Sequence, residues 1–271
     1  RKRKRKKKEK ENEKEKEKEK LKNKTIVITR STEQSSVLRD YLMKLQVNVL
    51  DLPSLIIGPP NNIQPLENAL AQIKTFDWII FSSVNGVKSI DRQLKFKNKS
   101  LKEYNKFFKI ASIGIKTANY LNQIGVEVDF IPPQFVSDSL VNNFPFLNNK
   151  SKILIPRVES GGRTILSNSL KKIGAEIIEV PAYESYCPSS IPDKTLKVLK
   201  QNLVDAITFT SSKTVLHAYK LINQYFDSNI NELFNNLKIV SIGPSTSVTC
   251  RKVFGRVDQE AKIHDINGLI A

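Results

Sequence analysis

The chain has 271 residues and carries 44 Lys and Arg against 27 Asp and Glu, a formal net charge of +17. A hydrophobic content of 39% with 8% aromatics excludes a wholly disordered chain, and the length suffices for one large domain or two modest ones. Residues 1–24 hold fifteen basic side chains against six Glu, a net +9 that leaves +8 for the rest, so the total describes no single surface.

The run RKRKRKKKEKENEKEKEKEK has no apolar residue to bury and reads as a solvated, disordered tail over 1–23, with a polyanion-binding arm as the alternative. It lacks the apolar core of a secretory signal, and its glutamates argue against a transit peptide. The chain begins without Met and stops at Ile270-Ala271 inside an apolar-periodic segment, which reads as truncation at both ends. No stretch approaches the roughly 18 apolar residues needed to span a bilayer. Cys187 and Cys250 form no CxxC pair and have no partner histidines at metal spacing. A soluble protein of a reducing compartment is expected, with the cytoplasm as its location.

Beyond the tail the chain is written twice. TIVITR (25–30) resembles KILIPR (152–157), and LRDYLMKLQVNVLDLP (38–53) resembles LSNSLKKIGAEIIEVP (166–181). DWIIFSS (77–83) matches DAITFTS (205–211), and IASIG (110–114) matches IVSIG (239–243). The offsets are 127, 128, 128 and 129, so the period is about 128 residues. Within each copy, short β-branched runs alternate with helical patterns. Strands are expected at 25–28, 47–50, 78–81 and 109–113, then at 153–155, 176–180, 206–209 and 238–242. That alternation predicts an α/β fold of two similar parallel-sheet domains. Ligands of open parallel sheets sit beyond the carboxyl ends of the strands, so the active site is expected there, in an interdomain cleft.

Four strand-end turns are rich in hydroxyls. They are Ser82-Ser83-Val84-Asn85-Gly86, Gly114-Ile115-Lys116-Thr117, Thr210-Ser211-Ser212-Lys213 and Gly243-Pro244-Ser245-Thr246. Each opens a predicted helix, where free N–H groups suit carboxylate or phosphate; plain N-capping is the competing reading. The turn at Gly161-Gly162-Arg163 has no P-loop or GxGxxG pattern. His217 and His264 lack acid partners and read as packing or surface residues. Tyr183 breaks the duplication, standing in VPAYESY where the first copy has LPSLIIG, and is a candidate donor after its strand.

These segments together resemble the uroporphyrinogen-III synthase family over roughly residues 24–270. The marks are TIVITR, IIFSSVNGV, ASIGIKTANYL, ILIPR…GGR…GAEIIEVPAYES, ITFTSS and VSIGPSTS. The resemblance implies two domains joined by a two-stranded connection: domain 1 from 24–50 with 187–271, and domain 2 from 51–186. The sequence alone suggests a simple cut near 150. The implied reaction cyclises hydroxymethylbilane to uroporphyrinogen III, with loss of water and inversion of ring D, and needs no cofactor and no metal. Tyr183 matches the family's tyrosine, a phenol that stays protonated at neutral pH and can assist the departing hydroxyl. Ser83, Thr117, Ser211 or Ser212, and Thr246 match hydroxyls and amides that bind substrate, with Thr210 and Ser245 in the same turns. Lys238 matches a basic residue at the start of the strand leading to SIGPST. Asn85 stands where some members carry arginine.

The implied partner is a polycarboxylate tetrapyrrole, handed over by hydroxymethylbilane synthase to a monomer that requires neither nucleic acid nor membrane. A non-catalytic two-domain protein closing on a polyanionic small molecule would use the same loops without Tyr183. A polyanion-binding module built on the tail is a third class. The body shows no basic stripe with interleaved stacking aromatics to support it.

Overall fold

The computed structural model describes residues 19–30, 36–134, 137–145, 150–160, 165–226 and 230–270. The tail before Glu19, the Gly161-Gly162-Arg163 turn and Ala271 lie outside the described residues. The chain divides into two compact units: one runs up to Ile56 and resumes at Tyr186, and the other is the continuous span Ile57–Ser185.

Strands follow in chain order as β1 (Thr25–Ile28), β2 (Asn48–Asp51), β3 (Ile56–Gly58), β4 (Trp78–Phe81) and β5 (Lys109–Ser112). The rest are β6 (Lys152–Val158), β7 (Glu176–Tyr186), β8 (Ala206–Phe209), β9 (Lys238–Ser241) and β10 (Gln259–Glu260). One sheet has the order β10-β9-β8-β1-β2, parallel throughout. The other has the order β3-β7-β6-β4-β5, with β7, β6, β4 and β5 mutually parallel. Both unit boundaries fall within strands, β3 and β7, that neighbour each other in this second sheet.

The duplication offsets map β5-β4-β6-β7 onto β9-β8-β1-β2, neighbour for neighbour. The bridge of Ala111 to Phe130 stands where β10 stands in the other sheet. Apart from the edge strands β10 and β3, each sheet therefore takes two strands from the first copy and two from the second. Both sheets are buried on both faces, as parallel sheets are. Val27, Ile207, Phe209 and Ile239 pack on one face of the first sheet, and Ile26, Ile28, Leu38 and Leu42 on the other. In the second, Ile79, Phe81 and Leu154 share one face, and Trp78, Ile80, Ile153 and Ile155 the opposite one.

Carboxylates set the strand starts, again in duplicate. Asp205 Oδ2 accepts the Thr25 N–H at 2.8 Å, and Asp77 Oδ2 accepts the Lys152 N–H at 2.7 Å. Asp258 and Asp129 do the same for the N–H groups of Ile239 and Ile110, at 2.8 and 2.7 Å. The helix Val84–Lys95 illustrates how the layers form. Val87, Ile90 and Leu94 recur at helical spacing on its buried face, and Ser83 caps its start by accepting the Gly86 N–H at 3.2 Å.

Several strand bounds differ from the expected ones. β2 lies one residue later, β5 and β9 end one residue earlier, and β6 extends from Lys152 to Val158. The largest difference is β7, expected to stop at Val180 and observed to continue to Tyr186. Proline has no N–H for a ladder, yet pairing passes Pro181 through a register shift: Arg157 faces Pro181 and Val158 faces Tyr183. Val180, Ala182 and Glu184 stay buried across it.

The clamp at Asp205 makes an acid-sensitivity prediction. Burial raises its carboxyl pKa, but the Lys24 ammonium and the Thr25 N–H outweigh it, and the net shift is downward. A lowered folded pKa gives stability that is full above the unfolded carboxylate value near 3.9 and is lost as pH falls through the folded value. The Asp205 side chain is 38% exposed and its pair with Lys24 is screened by solvent, so Asp205→Ala is expected to lose no more than about 1 kcal/mol at neutral pH. In melting curves taken at successively lower pH, the difference from the parent chain should shrink once pH falls below the unfolded carboxylate value and vanish below the folded one.

Candidate active site

In the unit Ile57–Ser185 Tyr183 follows the register shift between β6 and β7 and stands beside the turn after β4. The Tyr183 hydroxyl lies 3.0 Å from Ser83 Oγ, across one hundred residues of sequence. Ser83 Oγ meanwhile takes the Gly86 N–H, so the pair is tied to the start of the helix Val84–Lys95. Two hydroxyls hold two protons. One occupies the bond between them, and the other is available to an atom placed against the pair. The ring of Tyr183 packs on the core while the Tyr183 carbonyl accepts the Glu159 N–H at 2.9 Å. On either side, Ser89 Oγ donates to the Ala182 carbonyl, and the buried Glu184 carboxylate accepts the Ser160 and Ser185 N–H groups at 2.8 and 2.6 Å. Tyr183 thus stands inside a strand held from both flanks, rather than after one.

The remaining expected residues of this unit are placed differently from one another. Asn85 is half-buried in the first turn of the capped helix. Thr117 is buried in the first turn of the helix Ile115–Gln123, its N–H returned to the Gly114 carbonyl at 3.1 Å. It supports the turn from beneath.

In the other unit, two strand-end turns meet. Ser211 caps the helix Ser212–Phe226 in a reciprocal pair with Thr214: each backbone N–H donates to the other's side-chain oxygen at 3.2 Å. Ser212 Oγ donates to the Ser245 carbonyl at 3.1 Å, which ties the turn after β8 to the turn after β9. Thr210 is half-buried just upstream. The helix Pro244–Phe254 begins at Gly243 with no side-chain cap, and Thr246 is buried in its first turn. The plain capping reading therefore holds for Ser83 and Ser211, while Ser245 is exposed at a turn whose first amides no side chain caps.

Lys238 is not brought together with these residues. It is the first residue of β9, at the amino end, and its Nζ lies 3.6 Å from Asp258 Oδ1. The four residues of the strand separate it from Ser245 by roughly 13 Å. His217 Nδ1 donates to the buried Ser54 carbonyl at 2.8 Å, a packing role in keeping with its sequence context. His264, read from sequence as a packing or surface residue, packs on a turn of this unit. Its ring lies against Gly243, where a β-carbon would come within 3.0 Å of Cγ, so the absence of a side chain at 243 seats the imidazole on the turn after β9. No local pattern signals a contact between positions twenty-one apart.

Neither thiol is poised as a nucleophile. Burial pushes the Cys250 thiol up to about 12, and burial raises Cys187 against the opposing charge of Lys220. Among the described residues no cluster of His, Cys, Asp and Glu is arranged to hold a metal ion, and no helix is long and apolar enough to cross a membrane.

Fold and site together define a duplicated α/β protein whose hydroxyls and helix-start amides gather at strand ends. Comparison with known proteins makes this specific. A family model described as uroporphyrinogen-III synthase HemD matches residues 36–271. The uroporphyrinogen-III synthase of Synechococcus elongatus is 41% identical over 247 residues, covering 91% of this chain and 93% of that protein. A putative uroporphyrinogen-III synthase of Methanocaldococcus jannaschii is 29% identical, covering 90% and 95%. The crystal structure of uroporphyrinogen-III synthetase from Helicobacter pylori shares the fold, with a TM-score of 0.57 at 17% identity, covering 91% of this chain and 96% of that one. The chain belongs to the uroporphyrinogen-III synthase family, cyclising lyases of porphyrin biosynthesis.

Ser83→Ala removes both an N-cap and the partner of the Tyr183 hydroxyl. Loss of the cap should cost about 1 kcal/mol of stability, visible as a fall of a few degrees in melting temperature. Ser83→Thr should restore most of it.

Proposed function

We propose that this chain converts hydroxymethylbilane to uroporphyrinogen III, with Tyr183 assisting departure of the hydroxyl group. The observation that carries the reading is the Tyr183–Ser83 pair, anchored on a helix start beyond the end of β4. When Ser83 donates to the phenol oxygen, the phenol proton turns outward. It then hydrogen-bonds the leaving hydroxyl and moves with it as water forms. Negative charge developing on the phenol oxygen is met by the Ser83 proton, and behind it by the Gly86 N–H and the positive end of the helix.

Loss of water leaves an azafulvene on ring A. The substituted end of ring D attacks it, and the resulting spiro intermediate fragments and recloses with ring D inverted. The linear substrate closes unaided without inversion, so the protein's task is to hold one geometry. The turn amides and hydroxyls of Asn85, Thr210, Ser211, Ser212 and Ser245 suit the substrate's carboxylates. Thr117 and Thr246, being buried, act by holding their turns. Lys238 has no part in this reading. The same proposal takes the chain as a cytoplasmic monomer that receives its unstable substrate from hydroxymethylbilane synthase.

Incubation with freshly prepared hydroxymethylbilane, followed by separation of the isomers, tests the reading. Type III in excess over type I is expected, and type I alone at the background rate overturns it. Tyr183→Phe should lower turnover by one to two orders of magnitude, since one donor among several contributions is lost. An unchanged rate removes Tyr183 from the chemistry.

A further inference from the structure

The unit Ile57–Ser185 contains sixteen Lys and Arg against eleven Asp and Glu, a net +5. The fifteen residues 95–109, KFKNKSLKEYNKFFK, hold six Lys and one Glu, also a net +5. The rest of the unit is balanced, so its whole excess charge sits in one short segment.

The fold gathers that segment and two further lysines into one surface. Lys74 Nζ lies 5.8 Å from the Tyr104 ring centre and 4.5 Å from that of Phe107. Lys99 stands over Tyr104 at 5.6 Å, and Lys106 over Phe107 at 5.3 Å. Lys152 Nζ donates to Thr75 Oγ1 at 3.2 Å, next in sequence to Lys74. Phe96, 75% exposed between Lys95 and Lys97, lies three residues before Lys99, and Phe107 is 43% exposed. Lys109 and Lys152 are the first residues of β5 and β6, so this surface lies at the amino ends of the strands. Tyr183 and Ser83 are at the opposite end. Lys74 and Lys152 are remote in sequence, and only the fold adds them to the lysines of 95–109.

We propose that this face docks the protein on an anionic lipid bilayer, with the lysines meeting lipid phosphates and carboxylates and Phe96 entering the interface. Three observations favour a bilayer over other polyanions. Lysine ammoniums already cover Tyr104 and Phe107, and Lys109 stands 5.6 Å over Trp78, so the rings offer no free platform for stacking bases. The adjoining cavity of about 590 Å³ sets the Asp77 and Asp129 carboxylates beside Lys106 and Lys109, so it offers an acidic peptide no purely cationic cradle. A bilayer needs only protruding cations and an exposed apolar side chain, and both are present. The inference is independent of the proposed chemistry, because it uses the other end of the sheet.

The test is flotation of the full chain with phosphatidylcholine vesicles, with and without about 30% phosphatidylserine. The basic tail contributes to every measurement equally. The informative quantity is therefore the difference between K74E/K99E/K106E and a control reversal of the exposed K194E/K197E/K200E in the other unit. Binding to the anionic vesicles is expected to fall at least about tenfold further in the first variant than in the second. Phe96→Ser should weaken it several-fold, and all variants should stay folded with the turnover of the parent, both reversals melting somewhat lower because one loses its ring contacts and the other opposes a helix C-terminus. Equal losses in the two reversals overturn the proposal. So does a loss confined to a single-stranded oligonucleotide or a polyglutamate peptide, with vesicle binding unchanged.

Discussion

The architecture depends on strands that are far apart in sequence finding a single register, and four aspartates supply the constraint. Asp205 and Asp77 each hold the first N–H of a neighbouring strand that is 180 or 75 residues away. In a parallel sheet buried on both faces, a slip of one residue would exchange every inward side chain for its neighbour. A carboxylate closing on one particular N–H selects the native pairing. That the same bond recurs at equivalent places in both sheets identifies it as part of the duplicated unit.

The site follows from how that frame is broken. Where β6 and β7 pair regularly, side chains alternate between the two faces of the sheet. At Arg157 and Val158 the register shifts, so that Val158 faces Tyr183, whose hydroxyl lies beside Ser83. The partner hydroxyl is itself held by the first turn of a helix, so strand and helix together set one distance. The half containing Ser212 and Ser245 is built otherwise, with one turn bonded directly to the next.

The α/β class, the duplication and most strands were legible because they rest on local pattern: β-branched runs, helical spacing and repeated segments such as DWIIFSS and DAITFTS. The pairing of Tyr183 with Ser83 was not, since neither residue carries information about a partner one hundred positions away. The course of β7 was hidden by Pro181, a residue that favours ending a strand unless a bulge absorbs it. Lys238 was placed with the hydroxyls through family resemblance, and strand polarity sets it at the other end of β9. The partner of His264 was not legible from sequence because the contact depends on a missing β-carbon at Gly243.

The exchange of strands between the two copies also dictates an order of events at the ribosome. Residues 57–185 form a continuous unit and can pack as soon as they emerge. β1 and β2 emerge earlier yet must wait for β8, whose first residue comes 178 positions after the last of β1. At about 5–20 residues per second that wait is on the order of ten to thirty seconds. Throughout it the apolar strand Thr25–Ile28 has one unpaired edge and no sheet to join. The unit 57–185 can therefore complete first, while the chain's opening strands wait with an apolar edge uncovered.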